Sequence, residues 1–142
     1  MAVPFRFDTV LRVREIERDR CRVALTQAQA REAELVARQN QITLERLAIQ
    51  NELRAMDEAG CWTAERALNR REHCDQLSVE LNRIADDLKE AVVTVARCRN
   101  DLLEADTGVK GLEKLAGRHD SEQKQAEQKA AERDRDDSWR AA

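Results

Sequence analysis

Few residues in this chain could do chemistry. Two histidines, His73 and His119, and four cysteines, Cys21, Cys61, Cys74 and Cys98, are its candidate metal ligands, nucleophiles and proton carriers. Zinc needs Cys or His in close pairs. The cysteines lie 40, 13 and 24 residues apart, without a CxxC or CxxH pairing. They read instead as small buried hydrophobes of a reducing compartment. Each histidine stands alone among charges and reads as a solvated helix-surface residue. There is no glycine-rich phosphate loop, nucleophile elbow or HExxH. Carboxylates are plentiful, but they are spaced to meet arginine at i, i+4 on a helix. The expectation is therefore no catalytic residue, no metal, no cofactor and no small-molecule substrate.

The elements that carry these residues can be read from composition. Charged residues make up 37% of the 142, aromatics 3%, and tyrosine is absent. Glycine and proline together number five, too few to punctuate a compact globule. Arg, Glu, Ala, Leu, Gln and Asp dominate, the usage of long helices and coiled coils. Residues 1–59 hold ten arginines and ten acids, and the net charge is −3. That mixing gives no basic stripe for nucleic acid. No apolar run reaches membrane-spanning length, and no signal peptide is recognisable, so the cytosol is the expected compartment.

Apolar residues recur in seven-residue columns. In the first segment one column reads Phe7, Arg14, Cys21, Ala28, Leu35, Ile42, Ile49, Met56. Its companion is half polar: Leu11, Arg18, Leu25, Glu32, Gln39, Arg46, Leu53. The second segment is cleaner, with Cys74, Leu81, Leu88, Val95, Leu102, Val109, Ala116 beside Arg70, Leu77, Ile84, Ala91, Cys98, Ala105, Leu112. Alternating steps of three and four residues specify a coiled-coil seam. The expected core is Leu35, Ile42 and Ile49 against Leu77, Leu81, Ile84, Leu88, Val95 and Leu102.

Gly60 is the natural helix stop, and Thr63 can cap the second helix. The sequence thus predicts one all-α domain, a long antiparallel two-helix coiled-coil hairpin with unequal arms, turning near residue 60. The first helix is expected over 5–58 and the second over 63–117, and residue i lies level with residue 121 − i. Residues 118–142 form a charged extension that overhangs the amino terminus and, without apolar heptads, is expected to fray or fold on binding.

Three surface features could meet partners. Ile16, Val23, Ala30, Ala37 and Leu44 form another seven-residue column off the seam, widened by Val36 and Leu47. A two-helix hairpin cannot bury both faces, so this stripe is scattered surface residues or a widened seam, or else a docking face. Arg12, Arg14 and Arg18 belong to an amino-terminal arginine cluster interleaved with acids. Arg14 and Arg18 fall on the seam columns, where they either pair across the hairpin or mark the end of its core. Both phenylalanines and the only proline sit within Pro4-Phe5-Arg6-Phe7. Extending the columns puts Phe7 on the seam near Lys114, sealing the hairpin, and leaves Phe5 facing a partner. Pro4 suits a first helical turn and Asp8 an N-cap, so the columns leave open whether Phe5-Arg6-Phe7 is helical.

The run from Phe5 to Glu15, FRFDTVLRVRE, resembles the start of the flagellar FliJ family, with its F-x-F/L step followed by Leu-Arg-x-Arg-Glu. The Leu112-Glu113-Lys114-Leu115 step leading into a charged tail is similar too, although DRDDSW replaces the commoner Asp-Glu ending. The resemblance covers nearly the whole chain. It implies a non-catalytic component of the flagellar type III export apparatus, built as an antiparallel coiled coil like a rotary-ATPase stalk. Implied partners are the hexameric export ATPase, the export gate protein and export chaperones. Implied location is cytoplasmic, peripheral to the inner-membrane export apparatus. A monomer is expected when free. An injectisome stalk protein or a generic coiled-coil scaffold would look much alike.

Overall fold

The computed structural model describes residues 4–60 and 63–141. Cys61, expected from the sequence to be a buried hydrophobe, lies outside them. The described residues form two helices and no strand: α1, Asp8–Ala59, and α2, Ala64–Ala141. The fold is an antiparallel helical hairpin with unequal arms, 52 residues in α1 and 78 in α2.

Both sides of the turn are set by local chemistry. α1 stops because Gly60 takes φ +64, the left-handed region that a side chain disfavours. Its amide donates to the Asp57 carbonyl at 3.2 Å. Across the turn, the Thr63 hydroxyl accepts from the Arg66 amide at 3.3 Å, an N-cap that satisfies one of the orphan donors of α2.

Packing divides the chain into two compact units. The first, Ala24–Arg99, holds the turn and the main core. Leu35, Ile42 and Ile49 from α1 meet Leu77, Ile84 and Ala91 from α2, with Leu53, Cys74, Leu81 and Leu88 half-buried beside them. Val95 and Met56 are buried as well, and among the described residues no polar or charged side chain is. Only two helices share this seam, so one side of each seam residue stays near water. Hence Leu81 and Leu88 keep more exposure than Leu77 and Ile84, although all four lie in the two seam columns. Polar contacts flank the core and fix its register: Arg38 to Glu80 at 2.8 Å, Arg46 to Ser78 at 3.4 Å, and Glu52 to both Arg66 and Arg70 at 3.4 Å. As α1 numbers rise, α2 numbers fall, close to the reflection the turn predicts.

The second unit pairs the chain up to Val23 with the chain from Asn100. Val109 is its one fully buried side chain among the described residues, and Leu102 is half-buried. Partly buried positions continue along α2 through Leu112, Ala116, His119 and Gln123, after which every described residue is exposed. The unpaired extension of α2 therefore starts beyond Gln123 rather than at 118, because the amino-terminal turn reaches His119. α2 stays helical to Ala141, well past the end expected at 117.

Burial sets unequal costs along the core. Ile42 is 0% exposed. Ile42→Ala should therefore lower unfolding free energy by about 2–4 kcal/mol in urea melts, and Leu81→Ala by roughly half as much.

Candidate functional site

The amino-terminal turn forms the clearest side-chain constellation outside the core. The Asp8 amide donates to the Phe5 carbonyl at 3.2 Å, and the Leu11 amide to the Phe7 carbonyl at 2.8 Å. Phe7 thus takes the N-cap position. Asp8 is the first helical residue, its carboxylate favoured there by the helix dipole and 3.7 Å from Arg12. Phe5, Arg6 and Phe7 precede the helix, which starts three residues later than the sequence predicts.

That start reverses the roles extrapolated for the two phenylalanines. Seven-residue periodicity holds only in helical backbone, so it does not carry Phe7 onto the seam. Phe5 is the half-buried ring, 5.6 Å from His119 and 5.8 Å from Phe7 in an edge-to-face arrangement. Phe7 is 38% exposed, and the Arg6 guanidinium lies 5.5 Å from its ring centre. His119 is likewise corrected: it supports an aromatic cluster instead of standing in solvent. The sequence clue was present, since 121 − 5 gives 116, within one turn of His119.

The three arginines separate. Arg12 is exposed beside Asp8. Arg14 does not take its column position: it is exposed and bonds Glu17 at 3.0 Å, and the inward spacing becomes Leu11, Glu15, Arg18. Arg18 enters the seam with its side chain 20% exposed. Its Nε is 3.5 Å from Asp19, yet this buried nitrogen makes no hydrogen bond. Arg18 is therefore a polar interruption of the apolar seam, held at some cost in desolvation.

Facing it on α2 is Asp106, which periodicity did not single out. Lys110 donates to its carboxylate at 2.9 Å. That hydrogen bond is the main reason its pKa lies below the ordinary 3.8; partial burial opposes it, and the charges of Lys110, Arg18 and Arg22 reinforce it.

The off-seam stripe is exposed along α1: Ile16, Val23, Ala30, Val36, Ala37, Leu44 and Leu47 all lie outside the core, Leu44 at 66% exposure. Trp139, near the end of α2, is 85% exposed and has no counterpart among the residues the sequence marks out. Among the described residues, no three His, Cys, Asp or Glu side chains group to hold a metal ion. Nor is any helix there long and apolar enough to cross a membrane.

These sites suit contact with macromolecules: an aromatic–histidine cluster at the termini, a half-buried arginine opposite a carboxylate, and an uncovered helix face. Comparison with known proteins adds a family. The description "Flagellar FliJ protein" matches residues 3–140. No curated protein and no solved structure matches the chain.

This geometry sets two expected outcomes. Because the folded pKa of Asp106 lies below the unfolded one, its contribution is complete above about pH 4 and is lost as pH falls further. Thermal melts should therefore show a smaller acid-induced loss for Asp106→Asn than for the parent chain between about pH 6 and pH 3. Arg18→Leu should raise stability, on the order of 1 kcal/mol, by replacing a half-buried, imperfectly satisfied charge with an apolar side chain. A drop in melting temperature would show instead that Arg18 is well compensated.

Proposed function

The chain belongs to the flagellar FliJ family, and from its place in flagellar export we propose a specific role as the coiled-coil stalk of the export ATPase. In this reading it inserts into the hexameric ATPase ring, promotes ring assembly and turnover, and contacts the export gate protein and export chaperones. It does so without catalytic residues of its own, on the cytoplasmic face of the inner-membrane apparatus.

The observation that carries the reading is the unequal hairpin whose termini share one end. Phe5, Phe7 and His119 cluster there, and α2 continues past them with every described residue beyond Gln123 exposed. An insert for a ring needs helical surface presented on all sides and contacts weak enough to release during turnover. Mixed charge and a few aromatic anchors supply both. Phe7, Arg12 and Arg14 are the proposed ATPase-facing residues, with the half-buried Phe5 and Arg18 holding that end of the hairpin beneath them. The exposed Val36, Leu44 and Leu47 are the proposed gate-facing ones.

ATP turnover by the cognate ATPase, with and without this protein, tests the proposal. We expect stimulation by the native chain, its potency reduced by about tenfold or more in Phe7→Ala. Melting of the hairpin should fall only slightly in that variant, because Phe7 lies outside the core, ahead of the first turn of α1, and is 38% exposed. Absence of both stimulation and co-purification would sink the stalk reading.

A further inference from the structure

Charge is distributed unevenly around α1. Between Thr26 and Asn51, exposed Arg31, Arg38 and Glu45 share one seven-residue column beside the seam, from which Arg38 reaches Glu80. Sixteen other positions in that span are exposed, and only Glu34 among them is charged. The rest are Ala, Val, Leu, Thr, Gln and Asn, in a chain that is 37% charged. The outward face of α2 is more charged, with exposed Asp75, Arg83, Asp86, Lys89, Glu90 and Arg97 interleaved with exposed Val79 and Val93. Solvated helix surfaces are normally charged, so the nearly uncharged strip is a local exception.

At its centre runs Ala30, Ala33, Ala37, Asn40, Leu44, Leu47, in steps of three and four. That is the spacing of a helix-pairing seam, on the side of α1 away from the first. Its side chains are ordered by size, small toward the amino end and large toward the carboxyl end. Antiparallel pairing with an identical strip puts Leu47 over Ala30 and Leu44 over Ala33 at both ends, with Ala37 and Asn40 about the two-fold axis. Large meets small throughout, as a two-fold interface requires of one self-complementary patch. Near that axis, the Asn40 amides of the two copies can bond one another and fix the register. Glu34 falls level with Thr43 of the other copy, so no like charges are brought together. A parallel arrangement would set leucine on leucine at one end and alanine on alanine at the other, holding the helices apart where the alanines lie.

We propose that the nearly uncharged face of α1 binds a second copy of this chain, antiparallel, through Ala30, Ala33, Ala37, Asn40, Leu44 and Leu47. The strip is 26 residues long, about 39 Å of helix. With alanine at half its seam positions it buries on the order of 1,000 Å² in total, the lower edge of specific interfaces. An interface at that edge is weak and transient, so the chain is monomeric when dilute and pairs only when concentrated. The same face carries Leu44 and Leu47 of the proposed gate contact, so pairing and that contact exclude each other.

Sedimentation equilibrium of the full chain from about 5 to about 500 µM tests the proposal without any export component. The average mass should climb from 16.3 kDa toward twice that value. Leu44→Glu should weaken pairing by about tenfold or more while circular dichroism and melting stay as in the parent. Adding Ala33→Lys to Leu44→Glu should restore pairing, because residue 33 of one copy then meets residue 44 of the other with opposite charge. A parent chain that stays monomeric at about 500 µM overturns the dimer. A Leu44→Glu chain that still pairs, or a double variant that does not recover, overturns this interface. None of these results depends on stimulation of the ATPase, so the two proposals fail separately.

Discussion

Two helices this rich in charge have little reason to associate except where their apolar columns meet. In the unit Ala24–Arg99 that meeting is a single file of branched and linear aliphatics, Leu35, Ile42 and Ile49 against Leu77, Ile84 and Ala91. Each fully buried side chain is worth about 1.5–3 kcal/mol, whereas the exposed ion pairs beside it are worth a fraction of that. The seam therefore supplies the stability, and Arg38–Glu80 and Glu52–Arg66 choose its register. Everything else depends on it. The seam holds α1 with one face inward, which leaves the opposite face and its apolar residues, Leu44 and Leu47 among them, uncovered and free to serve contact.

The fold was legible because each of its determinants is local or strictly periodic. Gly60 and Thr63 specify a turn by backbone conformation and capping, and the columns beginning at Leu35 and Cys74 specify which faces meet. The termini were harder to read. Periodicity assumes a helix, so it misplaced Phe7 once the backbone of residues 5–7 proved to be a turn, and it gave Arg14 an inward position that Glu15 takes. His119 looked solvated because its partner, Phe5, is more than a hundred residues away in sequence and is brought close by the hairpin. Asp106 was invisible for a related reason: its environment is made in part by Arg18 and Arg22 of the other helix. Side-chain chemistry created by long-range pairing is not written in composition or spacing.

Function in this molecule is a matter of which surfaces remain after the seam is closed. The termini gather an aromatic cluster, and beyond Gln123 every described residue of α2 is exposed. The seam near the termini is also the less apolar one, interrupted by Arg18 and closed chiefly by Val109. Membership in the flagellar FliJ family gives these surfaces a setting in flagellar export. A chain that must engage and release several partners gains from marginal, separable contacts rather than one large interface.

Above all, a single chain must close its own seam, with α1 running antiparallel to α2 about Gly60. Spin labels at Arg38→Cys and Glu80→Cys, with the native cysteines replaced by alanine and the labelled chain diluted in unlabelled chain, measure this directly. Helices packed about 8–10 Å apart predict one narrow distance below about 30 Å, unchanged by dilution. A broad long-distance distribution, or a short distance that disappears on dilution, would contradict it.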